Sequence, residues 1–280
     1  MIDTVVIPAA GLGTRLFTVT KENPKEMVPL FHRLDDGTIL LKPLLEIIFE
    51  NLFDSGFRNF CLVVGRGKET IENHLSPHYD FIDLLKKKGE TRYAKILSKL
   101  YGKIEKSSIV WVRQHLQKGI GPATLLAKDV IGDEPFLFHA GDLYIPRKKY
   151  LKDIIKTHEK FNPSATIGLK QVAEPSRYGI ATIKQNKKNQ IEITKVVEKP
   201  RSPPTNYGLI GVNIFEPDIF PAIKKTKKGL KGEIQLTDSI QTLIKGKQKV
   251  LGSVMSANDI CIDIGIPETY FTALKYSFTH

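Results

Sequence analysis

The sequence predicts an α/β fold: a Rossmann-like mixed, mostly parallel sheet flanked by helices, with a smaller second subregion. Three observations carry this expectation. Val5-Val6-Ile7 is a short apolar, β-branched run that reads as a buried strand. Leu44, Ile48 and Leu52, with Leu45, Phe49 and Phe53, then recur at helical spacing, and Gly56 closes that helix. Phe60 to Val64 is a second apolar run. Strand, helix and strand in this order form a βαβ unit, whose strands lie parallel across a right-handed crossover.

The first strand empties into Pro8-Ala9-Ala10-Gly11-Leu12-Gly13-Thr14-Arg15-Leu16. Small residues and glycines there let backbone approach a ligand and donate N–H groups to phosphate oxygens. Arg15 and Lys25 follow, a forked cation and a point cation, both suited to polyphosphate charge. A dinucleotide-binding G-x-G-x-x-G is excluded, because Leu16 stands at the third glycine position. No Walker A run follows the strand either. A lone G-x-G also suits an ordinary strand-to-loop turn. That reading weakens once Arg15, Pro24-Lys25-Glu26-Met27 and Pro29 are added.

Farther along, Asp35-Asp36-Gly37 lies inside the segment Phe31 to Leu41, before Lys42-Pro43-Leu44, and predicts a hairpin-like insertion. From Ile71-Glu72-Asn73-His74 to Tyr101 the chain reads as several helices, with His74 a capping or packing residue. Ile109 to Val112 is a third strand ending in Arg113-Gln114. Gly119-Ile120-Gly121-Pro122-Ala123 opens a helix, with Pro122 expected at its first position. Phe136 to Ala140 is a fourth strand, and Gly141-Asp142 sits at its carboxyl end, where open α/β sheets bind ligands. Ala165 to Leu169, Ile191 to Val197 and Asn206 to Val212 are further strands, and the polar stretch 184–190 is a hairpin tip. Gly232-Glu233-Ile234-Gln235-Leu236-Thr237-Asp238 opens a helix, and Glu268 to Tyr276 forms the terminal one.

The 280 residues suffice for one domain, 1–280, with halves of about 1–145 and 146–280. The balance of 42 basic against 30 acidic residues gives +12. The basic residues fall in short scattered clusters, among them Lys86-Lys87-Lys88, Arg147-Lys148-Lys149, Lys187-Lys188 and Lys224 to Lys231, with little aromatic interleaving. This favours an enzyme for anionic small molecules over a nucleic-acid binder. No stretch is long and apolar enough for a membrane span, and no basic-then-apolar leader precedes the first strand. Cys61 and Cys261 sit in apolar β-like runs and read as buried, reduced thiols of a cytoplasmic protein.

The run A-A-G-L-G-T-R at 9–15, followed by P-K-E-M-V-P-L at 24–30, resembles the N-terminal signature of the sugar-1-phosphate nucleotidyltransferases. The resemblance is strongest to the prokaryotic UTP–glucose-1-phosphate uridylyltransferases. It extends through I-E-N-H at 71–74, Y-G at 178–179, E-K-P at 198–200, G-E-I-Q-L-T-D at 232–238 and D-I-G-I-P-E at 263–268. Two departures stand out: the Phe31–Leu41 insertion, and Pro122 where the family carries a histidine.

The resemblance implies uridylyl transfer from UTP to glucose-1-phosphate, giving UDP-glucose and pyrophosphate by in-line attack on the α-phosphorus. It further implies that Ala10, Gly11, Gly13, Thr14 and Arg15 hold the nucleotide's phosphates. Lys25 would neutralise the reacting phosphates, Gln114 read the uracil edge, and Gly119 leave room for the base. On the sugar side, Gly179 and Gly211 would lie against the sugar, Glu198 bond its hydroxyls, and Lys199 anchor its phosphate. Asp142 and Asp263 would hold Mg²⁺. Glu233 is expected near the sugar in a minor role, and the assembly is expected to be a homodimer or homotetramer. Alternatives from the same reading are dTTP or another sugar-1-phosphate as substrate, and a non-catalytic nucleotide-binding regulatory relative. An NAD(P)-dependent oxidoreductase is disfavoured by Leu16.

Overall fold

A computed structural model describes residues 2–34, 36–186 and 190–280. Asp35 and residues 187–189, which include the Lys187-Lys188 cluster and the centre of the expected hairpin tip, lie outside the described residues.

The chain opens with β1 (Thr4–Ala9), then forms the hairpin β2 (Pro29–Arg33) and β3 (Ile39–Pro43) before helix α1 (Leu44–Asp54). Strand β4 (Asn59–Val64) precedes the helices α2 (Glu69–His74), α3 (Tyr79–Lys87) and α4 (Thr91–Glu105). Next come β5 (Ser108–Arg113), α5 (Ile120–Leu126), α6 (Lys128–Ile131), β6 (Phe136–His139) and the short β7 (Leu143–Tyr144). After α7 (Lys149–Phe161) the chain is richer in strands: β8 (Ala165–Gln171), β9 (Gly179–Gln185), β10 (Ile191–Glu198) and β11 (Tyr207–Phe215). It ends with α8 (Ile219–Lys225), α9 (Leu236–Lys245), β12 (Val250–Val254), β13 (Ile262–Asp263) and α10 (Pro267–Thr279).

A nine-stranded sheet in the order β5-β4-β1-β6-β11-β8-β12-β10-β9 runs through the molecule. Strands β5, β4, β1 and β6 are parallel, as the βαβ pattern requires. The sheet is mixed, as expected, but among the described residues only four of its eight neighbour pairs are parallel. The reason is local: β9 and β10 pair antiparallel, and β11 returns antiparallel to both β6 and β8. Helices cover both faces of the parallel part, so alternate residues of one strand serve opposite cores. Val5 and Ile7 pack with Phe49 and Leu62, whereas Val6 packs with Cys61, Phe136 and Phe215.

Three local expectations are corrected. Helix α5 starts at Ile120, so Pro122 occupies its third position; Gly119, at φ 103°, makes the preceding turn that residues other than glycine resist. Helix α9 starts at Leu236, because Leu230–Gly232 forms a short 3₁₀ turn and Gln235 is extended. Cys61 is buried, but Cys261 is only partly so and faces a cavity. The Phe31–Leu41 segment is a hairpin, with β2 and β3 paired from Pro29–Pro43 to Arg33–Ile39. Its β2 strand packs on the terminal helix α10, where Ser277 Oγ accepts the Phe31 N–H at 3.2 Å.

Candidate active site

At the carboxyl end of β1 the chain has used its last ladder residue, and Gly13 turns it at φ 67° into a single 3₁₀ turn, Thr14–Leu16. Thr20 Oγ1 donates to the Gly13 carbonyl at 2.8 Å and fastens this loop back on itself. Gly11, Gly13, Thr14 and Arg15 line one side of a cavity of about 370 Å³, with Ala10 at its base. Lys25, Gln114, Gly119 and Asp142 close the other sides. A second cavity of about 270 Å³ adjoins it and is lined by Gly179, Glu198, Lys199, Gly211 and Asp263. Asp142, with Ala140 and Ile120, borders both. Every residue that the sequence nominated therefore lies on one of two adjoining cavities.

Asp142 follows β6, and Asp263 is held beside it because β13 pairs with β7 in the register Asp263–Leu143. The Ile264 N–H donates to the Asp142 carbonyl at 2.8 Å, which fixes that approach. Burial pushes the Asp263 carboxyl up to about 6, and the neighbouring Asp142 charge adds to this against Lys25, Arg15 and Lys199. Lys25 forms an ion pair with Asp142. Burial alone would lower the Lys25 pKa, but Asp142, Glu26 and Asp263 around it raise it above its ordinary value, so the ammonium stays charged.

Beneath Lys25, Glu26 is buried and paired with Lys68 at 2.9 Å. Burial raises the Glu26 carboxyl, while the two lysines oppose that rise. On the other side, Glu198 accepts a bond from Thr237 Oγ1 at 2.7 Å and lies 3.5 Å from the Lys199 ammonium. Lys199 sits at φ 41°, a left-handed conformation that is strained for a residue with a Cβ. The Gly211 turn at φ 73° brings the backbone close to Ala140, whose Cβ would stand 3.1 Å from a side chain at 211. Gln114 is buried, and its amide reaches the Gly119 carbonyl at 3.4 Å.

Several site groups escaped the sequence reading. Gln117 donates to the Ala10 carbonyl at 2.9 Å and lines the first cavity, brought there by a loop with no periodic signal. Lys170 and Arg177 line the second cavity, and Thr237 does so from within a motif read as architecture. Glu233 lies on the first cavity rather than among the second cavity's lining, because the α9 lead-in passes over Gly119 and Gly121. His74 lies on neither cavity; its Nε2 is 2.8 Å from Glu46 Oε2.

A mixed α/β sheet with a glycine loop at the end of its first strand and a partly buried lysine–aspartate pair between two cavities has matches among known proteins. Residues 4–278 match the nucleotidyl transferase family, and the chain belongs to it. At 36% identity it is similar to UTP–glucose-1-phosphate uridylyltransferase 2 of Staphylococcus saprophyticus, over 88% of this chain and 83% of that one. The UTP–glucose-1-phosphate uridylyltransferase of Bacillus subtilis is 35% identical over 86% of this chain and 80% of its own. A solved UDP-glucose pyrophosphorylase complexed with UDP-glucose is 30% identical, covers all 100% of this chain with 99% of its own, and gives a TM-score of 0.83.

Proposed function

We propose that the protein transfers the uridylyl group of UTP to glucose-1-phosphate, releasing pyrophosphate and forming UDP-glucose. The single observation that carries this is the meeting of two cavities at Asp142, with the Lys25 ammonium on that carboxylate. Two anionic substrates held on either side of one charged wall can meet in line, and positioning of this kind supplies much of the rate in such reactions. The relatives named above carry UTP and glucose-1-phosphate, or UDP-glucose, in their names, which supports this pair of substrates.

In this reading residues of about 1–145 bear the nucleotide and those of about 146–280 most of the sugar-binding surface. The Gly11–Gly13 backbone and Arg15 hold the triphosphate, and Thr14 and Ala10 shape that loop. Gln114 reads the uracil edge with an amide that both donates and accepts, and Gly119 makes room for the base. Glu198 accepts from sugar hydroxyls, Gly179 and Gly211 admit the ring, and Lys199 holds the sugar phosphate. A phosphate oxygen of glucose-1-phosphate then attacks the α-phosphorus, and the α–β bridging bond breaks as pyrophosphate leaves with the electron pair. Lys25 balances the charge that builds on those phosphates, where a desolvated cation counts most.

Asp142 and Asp263 offer two hard oxygen donors whose mutual repulsion a cation would relieve, and this fits Mg²⁺. When bound there, Mg²⁺ supplies Lewis-acid charge neutralisation at the phosphates. The protein would then work as a homodimer or homotetramer in the cytoplasm; among the described residues no helix is long and apolar enough to cross a membrane.

Pyrophosphate release with Mg²⁺ tests the assignment, with UTP, dTTP, CTP, ATP and GTP each paired with glucose-1-phosphate, galactose-1-phosphate and N-acetylglucosamine-1-phosphate. Preference for UTP with glucose-1-phosphate is the expected result. Preference for dTTP or another sugar would keep the chemistry and replace the substrates. No release with any pair would leave a nucleotide-binding protein without this activity.

A further inference from the structure

Lys25 and Glu26 are neighbours in the chain, and their side chains go to different places. Lys25 reaches Asp142, and its Cε and Nζ lie 3.6 and 3.8 Å from where a Cβ at Gly11 would stand. Glu26, only 1% exposed, accepts a hydrogen bond at 2.9 Å from the ammonium of Lys68, which is 6% exposed. The two neighbours share a single 3₁₀ turn, Lys25–Met27. Its backbone bonds run from the Met27 N–H to the Pro24 carbonyl at 2.8 Å and from the Val28 N–H to the Lys25 carbonyl at 3.3 Å. So short a turn has little bonding of its own to fix its orientation, and side chains must supply the rest.

Glu26 supplies two such contacts. Its Cγ lies against Gly141, 3.3 Å from where a Cβ at that position would stand. Its carboxylate is anchored by Lys68, the residue before α2, whose own carbonyl accepts the Ile71 N–H at 3.0 Å. Lys68 lines neither of the two cavities. Contact therefore runs from α2 through Lys68 and Glu26 to the turn that carries Lys25. A buried ion pair is a weak source of net stability, since apolar residues of similar volume fill the same space as well or better. What it adds is direction: a charge-assisted hydrogen bond fixes a carboxylate's place and angle more narrowly than packing does.

We propose that Lys68 and Glu26 are positioning residues: their buried ion pair fixes the Lys25–Met27 turn against Gly141 and so sets where the Lys25 ammonium stands between the two substrates. This rests on the uridylyl-transfer reading above. Neither residue bonds a substrate; both act through Lys25. A displacement of about 1 Å is enough to cost on the order of a hundredfold in rate where geometry carries the catalysis. The effect belongs to kcat, because the Gly11–Gly13 backbone and the walls of the second cavity, which hold the substrates before reaction, stay in place.

The test is pyrophosphate release with the preferred of the substrate pairs above, in the unaltered protein, in Lys68→Met and in the double variant Glu26→Met/Lys68→Met. The double substitution is also made in a Lys25→Ala background, and a thermal midpoint is taken for each protein. The double variant removes both charges at similar volume, so it recovers the stability that Lys68→Met loses. Its kcat nevertheless stays about a hundredfold below that of the unaltered protein, with both KM values within about threefold. In the Lys25→Ala background the same double substitution lowers kcat by less than about twofold more, because the group it places is gone. A merely structural pair gives the other pattern: kcat returns with stability in the double variant, or falls by the same factor with and without Lys25. Either result, or a double variant that does not fold at the assay temperature, overturns the inference and leaves the uridylyl-transfer reading standing. No release from the unaltered protein with any pair overturns that reading and this inference with it.

Discussion

The two cavities that meet at Asp142 are built in opposite ways. The first is written along one stretch of chain: Ala10 to Arg15, then Lys25 and Glu26, supply much of its wall. The second draws its wall from β8, the turn before β9, the end of β10, β11, the start of α9 and the approach to β13. The first is backbone-rich and borders a parallel sheet, whose strand ends naturally open onto a ligand. The second is rich in side chains and borders antiparallel strands, so its shape depends on register between distant segments. The part of a wall that one loop supplies withstands changes elsewhere in the chain; a wall built from register fails when any contributor shifts.

Lys25→Ala is the most severe test of this contrast. It should cost about a thousandfold in kcat with the fold intact, on the scale of losing one preorganised electrostatic group. Steady-state rates beside a circular dichroism spectrum check this, and near-normal turnover would remove Lys25 from the mechanism. Lys68→Met comes next. It strands the buried Glu26 carboxylate beneath the first cavity and should destabilise the fold by about 3 kcal/mol in urea unfolding. A loss near zero would mean that Glu26 takes up a proton at little cost.

Gly179→Ala separates the two cavities directly. A methyl there would stand 2.7 Å from Thr237 Oγ1 and 3.1 Å from Glu198 Oε2, so those groups must move. The KM for the sugar phosphate should rise about tenfold while the KM for UTP holds, a loss of roughly 1.4 kcal/mol of binding. Equal changes in both would show that the cavities respond as one.

The smallest effect concerns His139, buried in β6 with its Nδ1–H donating to the Ala140 carbonyl at 2.8 Å. Burial holds its pKa down to about 4, against 6.5 for an ordinary histidine. Between those values the unfolded chain binds a proton that the fold does not, so His139's contribution is complete above pH 6.5 and falls as the pH drops towards 4. For His139→Asn the thermal midpoint should fall less steeply over this window, by roughly 1 kcal/mol of stability per pH unit. An unchanged slope would assign the acid sensitivity to other groups.

How far each region was legible from the chain follows the same contrast. The glycine loop, the βαβ order and the hairpin-like segment Phe31–Leu41 were readable because each is decided by neighbours in sequence: an apolar run, a glycine turn, a helical repeat. The helix starts at Ile120 and Leu236 were misplaced because the α9 lead-in packs across Gly119 and Gly121, leaving Ile234 backbone where a Cβ at either position would go. The parallel share of the sheet was overestimated because β11, which reads as one more strand, runs against both its neighbours. Lys170 and Gln117 gave no signal, since a lone lysine on a strand or a glutamine in a loop acquires its meaning only from what faces it.

The sequence by itself determined the class of fold, the glycine loop, and the cations and carboxylates that line the two cavities. Only the tertiary structure decided that Asp263 stands against Asp142, that Glu233 belongs to the first cavity, and that Lys170 lines the second. The physical reason is that composition and periodicity fix how a segment buries its own apolar face. The charge balance of a cavity is fixed by strand register and by loops brought together from opposite ends of the chain.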